Sequence, residues 1–303
     1  MLAVMPEGPQ WHPRRHGPQA DGPQWAKALS HEPWAESATV LKREGGCRVL
    51  AARLRDRDVV LKFYSHRGPV RRARARLGVA SGDRHWAGAA LLAAEEVPCP
   101  EMLALVSRRS GPVREDCLIM EKLDGQTLLR WLAEVKGGRV PVSRQHAVAR
   151  AVGAQVGCIL AAGLHNRDHK PSNLIVRFEG ERPIVAVADC QGVKRLEREK
   201  SRHTVRMQAS LALEAIGTGV LPRRALIAMT LATAVAAYTA RRFGKASVEH
   251  AMAMDRAERR AILRSLPPGT ALAAWPRIAE RIAIHGDPTP SVDPLADSEP
   301  LPS

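Results

Sequence analysis

The chain has 303 residues, 45% of them hydrophobic, which is enough for one large domain or two lobes around a shared cleft. Its formal net charge of +15 favours anionic partners: nucleotide phosphates, a phosphorylated glycolipid, an anionic membrane face or nucleic acid. Five cysteines, at 47, 99, 117, 158 and 190, form no C-x-x-C pair, which speaks against a disulfide framework or zinc knuckle and fits a reducing cytoplasm.

Residues 1–36 are rich in Pro, Gly, His and Trp without a sustained period, and are predicted to be a loosely ordered arm. The opening MLAVMPEGPQWHPRRH has no long apolar run of the kind a secretory signal carries. From Ala38 the pattern turns β-prone. Segments 38–42, 47–54 and 58–64, separated by Gly45-Gly46 and the turn-like Arg55-Asp56-Arg57, predict an antiparallel meander. After a basic stretch with Arg71, Arg72, Arg74 and Arg76, a helix is predicted from Ser81, as N-cap, to about Glu96, before Pro98 and Pro100. Strands over 102–107 and 116–123 complete a small sheet-based lobe, 37–123.

The second lobe, 124–285, is predicted to be mainly helical. One helix follows Gly125 (TLLRWLAEV), and a longer one follows Ser143 as N-cap, with Val148, Val152, Val156, Ile159 and Leu160 at helical spacing. Two short strands, 174–178 and 184–189, precede further helices over 203–216, 222–242 and 255–265. The most apolar run, 225–240, is shorter than the ~20 residues a bilayer span needs and is predicted to be a buried helix. With aromatics at 4%, the core is expected to be aliphatic, and the Pro-rich acidic tail 286–303 is expected to be disordered. There are no internal repeats.

The segment HNRDHKPSN, 165–173, carries the strongest chemical signal. Asp168 and Asn173, five apart between an amphipathic helix and a hairpin, suit phosphoryl transfer. Asp168 would orient an incoming hydroxyl and take its proton, and Asn173 offers a neutral oxygen to a hard Mg²⁺ ion. Lys170 is placed to neutralise charge developing on the phosphoryl group. The bland alternative is a polar turn between helix and strand.

This segment resembles the protein-kinase catalytic loop H-R-D-x-K-x-x-N, with Asn166 in place of the first His. The resemblance implies an α+β, bilobal protein-kinase-like fold: an antiparallel small lobe with one helix, and a reduced, mainly helical second lobe. It also implies ATP and Mg²⁺ as cofactors. A metal-binding Asp must then end the next hairpin, and IVAVADCQG supplies Asp189. The family's D-F-G has become D-C-Q-G, so the Phe packing switch is lost while Gly192 keeps backbone freedom. Lys62, in DVVLK, stands where the family's phosphate-pairing Lys lies, and Gly45 and Gly46 form a thin version of the glycine loop. Asp83 is the candidate acid to pair with Lys62. Backbone groups of Glu121 and Leu123, in a segment like the hinge joining kinase lobes, would meet the adenine edge.

No A-P-E follows Asp189, and VPCPEMLAL (97–105), the N-R-D loop and ADCQGVKR resemble the bacterial lipopolysaccharide core kinase family. That resemblance covers about residues 38–245 and implies phosphate transfer to a Kdo or heptose hydroxyl at the inner face of the cytoplasmic membrane. The basic segments at 71–76 and 194–202 suit an acidic glycolipid acceptor and peripheral contact with anionic membrane, or are simply solvated faces. Two other readings stay open, a Ser/Thr protein-kinase-like enzyme and a nucleotide-binding pseudokinase, and charge alone would also permit a nucleic-acid binder. Scarce aromatics and the absence of any zinc finger or RNA-recognition signature set the last aside. No GxxxxGK[ST], GxSxG or HExxH is present.

Overall fold

The computed structural model describes residues 10–17, 21–44, 46–110, 113–196, 201–220 and 222–242. The helix expected over 255–265 and the tail 286–303 lie outside them. The chain divides into two compact units. One holds residues up to Ala89 together with Pro100–Leu123, and the other holds Ala90–Cys99 and everything from Asp124.

The first unit is built on a six-stranded antiparallel sheet in the order β1-β5-β6-β4-β3-β2. Its strands are β1 (His12–His16), β2 (Thr39–Glu44), β3 (Cys47–Leu54), β4 (Arg57–His66), β5 (Met102–Ser110) and β6 (Val113–Glu121). The β3–β4 hairpin turns on Arg55 and Asp56, both at positive φ (51° and 55°), the pair of left-handed residues a two-residue hairpin needs to match strand twist. Strand β4 is buried along most of its length, because β3 and β6 flank it and both faces are covered. Helices α1 (Gly22–His31), α2 (Pro69–Arg76) and α3 (Ser81–Ala94) complete the unit, α3 ending in residues assigned to the second.

One expectation changes here. The stretch expected to be a loose arm contains an edge strand and a helix. Asp21 caps α1 by accepting from the Gln24 N–H at 3.2 Å, with proline in its first turn. Burial of Trp11, Trp25 and Leu29 against the sheet then stabilises the segment where composition alone would not. The core is mainly aliphatic, as expected, and several of the few aromatics gather in this unit. Phe63 stacks on Trp34 with ring centroids 5.8 Å apart and tilts against Trp11 at 5.9 Å.

The β1–β5 register slips between Pro13 and Arg15, leaving Arg14 as the extra residue of a bulge. The slip accompanies a guanidinium that faces inward. Arg14 donates to Asp116 at 3.0 Å, to both Asp83 oxygens at 3.0 and 3.2 Å, and to the Ala75 carbonyl at 3.1 Å. Asp116 also takes His66 at 2.9 Å and Arg114 at 3.1 Å. Burial pulls the Asp116 carboxyl up, but the His66 hydrogen bond and the charges of Arg14 and Arg114 outweigh it and hold the group below its ordinary range.

The second unit packs α4 (Leu128–Lys136), α5 (Val142–Ala161), α6 (Ser201–Gly217) and α7 (Arg224–Arg242) around a three-stranded sheet in the order β10-β9-β7 and a two-stranded ladder β11-β8. Its strands are β7 (Gln126–Thr127), β8 (Leu164–Asn166), β9 (Leu174–Glu179), β10 (Arg182–Val187) and β11 (Val193–Arg195). Helix α5 starts at Val142 without a side-chain cap, so Ser143 lies inside the helix instead of capping it. The apolar run 225–240 forms most of α7, which packs along α5. A Cβ on Gly153 or Gly157 would come within 2.3 Å of the α7 carbonyls of Thr230 and Ala234, so only glycine permits this approach. Thr230 Oγ1 shares its proton between the Leu226 carbonyl of α7 at 2.9 Å and the Ala149 carbonyl across the seam at 3.2 Å. Among the described residues no helix is long and apolar enough to cross a membrane.

Candidate active site

The loop 165–173 belongs to the second unit and is laced to the segment after Asp189. Strand β8 pairs with β11, Asn166 lies opposite Val193, and the Arg167 N–H donates to the Gly192 carbonyl at 3.2 Å. Asn166, fully buried, accepts the Asp168 N–H on Oδ1 at 3.1 Å, while its Nδ2 lies 3.4 Å from His169 Nδ1. A compact amide therefore fixes the turn where the kinase loop has a histidine. A Cβ on Gly192 would stand 2.8 Å from Asn166 Oδ1 and 3.1 Å from both the amide nitrogen and Oδ2 of Asp168. The glycine is required by this close approach and not by the backbone freedom expected of it.

Asp168 is half-exposed, and its carboxylate is gripped by its neighbour. Arg167 Nε lies 3.2 Å from Oδ1 and Nη2 lies 2.8 Å from Oδ2. Hydrogen bonding and charge from Asp168, with a smaller contribution from Asp189, hold the Arg167 guanidinium above its ordinary range. The Asp168 carbonyl accepts Asn173 Nδ2 at 2.9 Å, across a 3₁₀ turn at Pro171–Asn173. Because a carbonyl demands the amide NH₂, Asn173 Oδ1 is left as an acceptor. The Asn173 carbonyl in turn receives the Ala188 N–H at 2.9 Å, next to Asp189. Asp189 is half-buried, with Oδ1 accepting the Gln191 N–H at 3.2 Å. Cys190, where the kinase motif has Phe, is buried and donates to the Val187 carbonyl.

Lys170 Nζ lies 3.1 Å from Glu214 on α6, a residue that the sequence reading missed. Glu214 also accepts the Ser172 N–H at 2.7 Å and its hydroxyl at 2.6 Å. Its only sequence signal is a lone acid in the apolar run LALEAIG. His165 and His169 are buried. Burial first, and the charge of His165 second, pushes His169 down to about 3, so it stays neutral. Among the described residues no three His, Cys, Asp or Glu side chains gather as a metal site. What is present is an oxygen set, Asn173 Oδ1 and the Asp189 carboxylate. It fits a hard divalent cation whose remaining positions come from phosphates and water.

The remaining expected residues lie in the first unit. Lys62 is buried on β4 between Val49 of β3 and Leu118 of β6. Gly46 sits in the β2–β3 turn with φ +89°, and Gly45 lies outside the described residues. Glu121 ends β6. Its N–H already donates to the Glu101 carbonyl at 3.0 Å and its carboxylate accepts the Glu101 N–H at 3.2 Å. Leu123, half-buried, closes the unit. Asp83 is buried as its helical face predicts, and its carboxylate is held by Arg14 and by Arg15 at 3.5 Å.

Comparison with known proteins accords with this geometry. The profile described as the lipopolysaccharide kinase (Kdo/WaaP) family matches residues 32–216. A solved structure of WaaP in complex with acyl carrier protein is similar in fold, with a TM-score of 0.57 and 16% identity, covering 90% of this chain and 100% of that one. No curated protein matches.

Proposed function

Since the chain belongs to the lipopolysaccharide kinase (Kdo/WaaP) family and is a kinase of core sugars, we propose that it moves the γ-phosphate of ATP using Asp168, Lys170, Asn173, Asp189 and Lys62. The observation that carries this reading is the hydrogen bond from Asn173 to the Asp168 carbonyl, which fixes the two residues five apart in one rigid loop. Asp168 orients the acceptor hydroxyl and takes its proton as the new O–P bond forms and ADP departs with the electron pair of the broken bond. Arg167 must share the carboxylate with that hydroxyl. Lys170 neutralises charge on the phosphoryl oxygens, and Lys62 pairs with the α- and β-phosphates. Gly46, with Gly45, would cover the phosphates through backbone N–H groups. The Glu121 carbonyl and Leu123 N–H remain the candidates for the adenine edge.

A divalent cation, for which we propose Mg²⁺, would be held by Asn173 Oδ1 and Asp189 and would supply charge neutralisation at the β- and γ-phosphates. The acceptor proposed is an acidic glycolipid, in keeping with the net charge of +15 and the exposed Arg71, Arg74 and Arg76 on α2. The same charge supports the peripheral contact with an anionic membrane at the cytoplasmic face that we propose.

The test is phosphate transfer from Mg·ATP to a panel of a Kdo-bearing lipid, a generic protein and no acceptor, with Asp168→Ala in parallel. Transfer to the lipid that disappears in the variant supports the assignment. Transfer to protein alone would redirect it to a protein kinase. Mg·ATP binding without transfer would point to a pseudokinase, and no ATP binding would overturn it.

A further inference from the structure

Glu214 sits outside the loop that performs the transfer, yet three bonds from that loop end on its carboxylate. Lys170 Nζ lies 3.1 Å from Oε1, the Ser172 hydroxyl donates to the same oxygen at 2.6 Å, and the Ser172 N–H donates to Oε2 at 2.7 Å. Both oxygens are therefore engaged, and the side chain is mostly shielded from solvent. The two short bonds from Ser172 hold the acid in a single orientation, since rotation of the carboxylate would break one of them. The ammonium of Lys170 is thereby placed by a group that the rest of the loop has already fixed. A lysine side chain has four rotatable bonds and rarely keeps one position without such a partner.

We propose that Glu214 is a positioning residue for phosphoryl transfer, one that fixes the Lys170 ammonium and anchors the Ser172–Asn173 turn to α6. It touches no reacting atom. Its action runs through Lys170, so the inference rests on the reading of Lys170 as the group that neutralises the transferring phosphoryl. The position also differs from a mere structural anchor. An apolar residue there would leave the Ser172 N–H, its hydroxyl and the Lys170 ammonium without this acceptor, whereas an acid answers all three together.

The test uses the full chain with Mg·ATP and the Kdo-bearing lipid, comparing wild type with Glu214→Gln, Lys170→Ala and the double variant. Glutamine keeps an acceptor oxygen for Ser172 and removes the charge that holds Lys170, so the fold survives. Glu214→Gln is expected to lower kcat by roughly 10- to 100-fold, with KM for ATP and thermal midpoint nearly unchanged. In the Lys170→Ala background the same change is expected to cost nothing further. An equal loss in both backgrounds, or a loss matched by a falling midpoint, overturns the proposal. A large loss in Lys170→Ala with none in Glu214→Gln overturns it while leaving Lys170 in place. No loss in Lys170→Ala removes the reading of Lys170 itself, and Glu214 falls with it. An acyl-phosphate derivative of ATP, which transfers its acyl group to lysines near the γ-phosphate, gives a readout without any acceptor. Labelling of Lys170 is expected to change several-fold in Glu214→Gln and labelling of Lys62 to stay constant, and equal change at both lysines counts against the proposal.

Discussion

The two units hold their charges in opposite ways. In the first, Asp116 is shut away completely and surrounded by Arg14, Arg114 and His66, with Asp83 tied into the same guanidinium. In the second, Asp168 is 39% exposed and meets one cation, Arg167, itself 53% exposed. A buried carboxylate with several donors has no alternative partner and locks the elements around it. A half-exposed pair is easily shared with an incoming group, because water already competes for it. The closed network of the first unit thus serves architecture, and the open pair of the second leaves Asp168 accessible for the role proposed for it.

The largest expected effect tests the closed side. Asp116→Ala leaves Arg14 and Arg114 facing a buried gap and should cost about 3–5 kcal/mol of stability, read as a large drop in the denaturant midpoint or loss of folded protein. A small change would mean that the network is looser than its geometry. Asp168→Asn reverses the pattern. Phosphate transfer should fall roughly 10²–10⁴-fold while the thermal midpoint hardly moves. If stability fell as well, Asp168 would belong with the structural acids.

Acid sharpens the contrast next. An unfolded histidine takes up a proton near pH 6.5, whereas folded His169 resists until about 3, so the unfolded state gains protons first and stability falls as pH drops below 6.5. The expected loss between pH 7 and 5 is about 2 kcal/mol, and His169→Gln should flatten that slope in a pH series of unfolding curves. Asp116 contributes in the opposite range. Its depressed folded value keeps its contribution intact above pH ~4 and withdraws it only in stronger acid. The smallest effect is expected at Arg167→Gln, where a half-exposed ion pair should be worth under about 1 kcal/mol of stability. A larger loss would show that the pair is more protected than its exposure implies.

Much of the candidate site was legible because its signal is local. The spacing of Asp168, Lys170 and Asn173 and the placement of Asp189 at the end of an apolar strand are properties of short segments, and backbone hydrogen bonds hold those segments together. The meander around Lys62 was legible for the same reason, since alternating apolar runs and turn residues mark hairpins. What escaped the reading depends on distant pairing. Strand β1 finds its partner β5 some 90 residues later, and Pro13, which suits an edge strand, disguised it as coil. Asp83 was correctly placed on a buried face, and the arginines that hold it come from that same unread strand. Glu214 carries no motif at all. Its meaning arises only when α6 brings it to Ser172, and Gly192 likewise reveals its reason only when Asn166 and Asp168 stand against it.

The bulge at Arg14 also bears on where this protein can be cut. The span that carries the family signature, 32–216, leaves out β1 and α1 of the first unit and α7 of the second. A version trimmed to 32–216 would keep every residue assigned to phosphate transfer, yet it would strip the guanidinium from Asp83 and Asp116 and remove α7 from the glycine face of α5. The residues proposed for the reaction lie inside the family span, while contacts that hold each unit together are made by segments outside it.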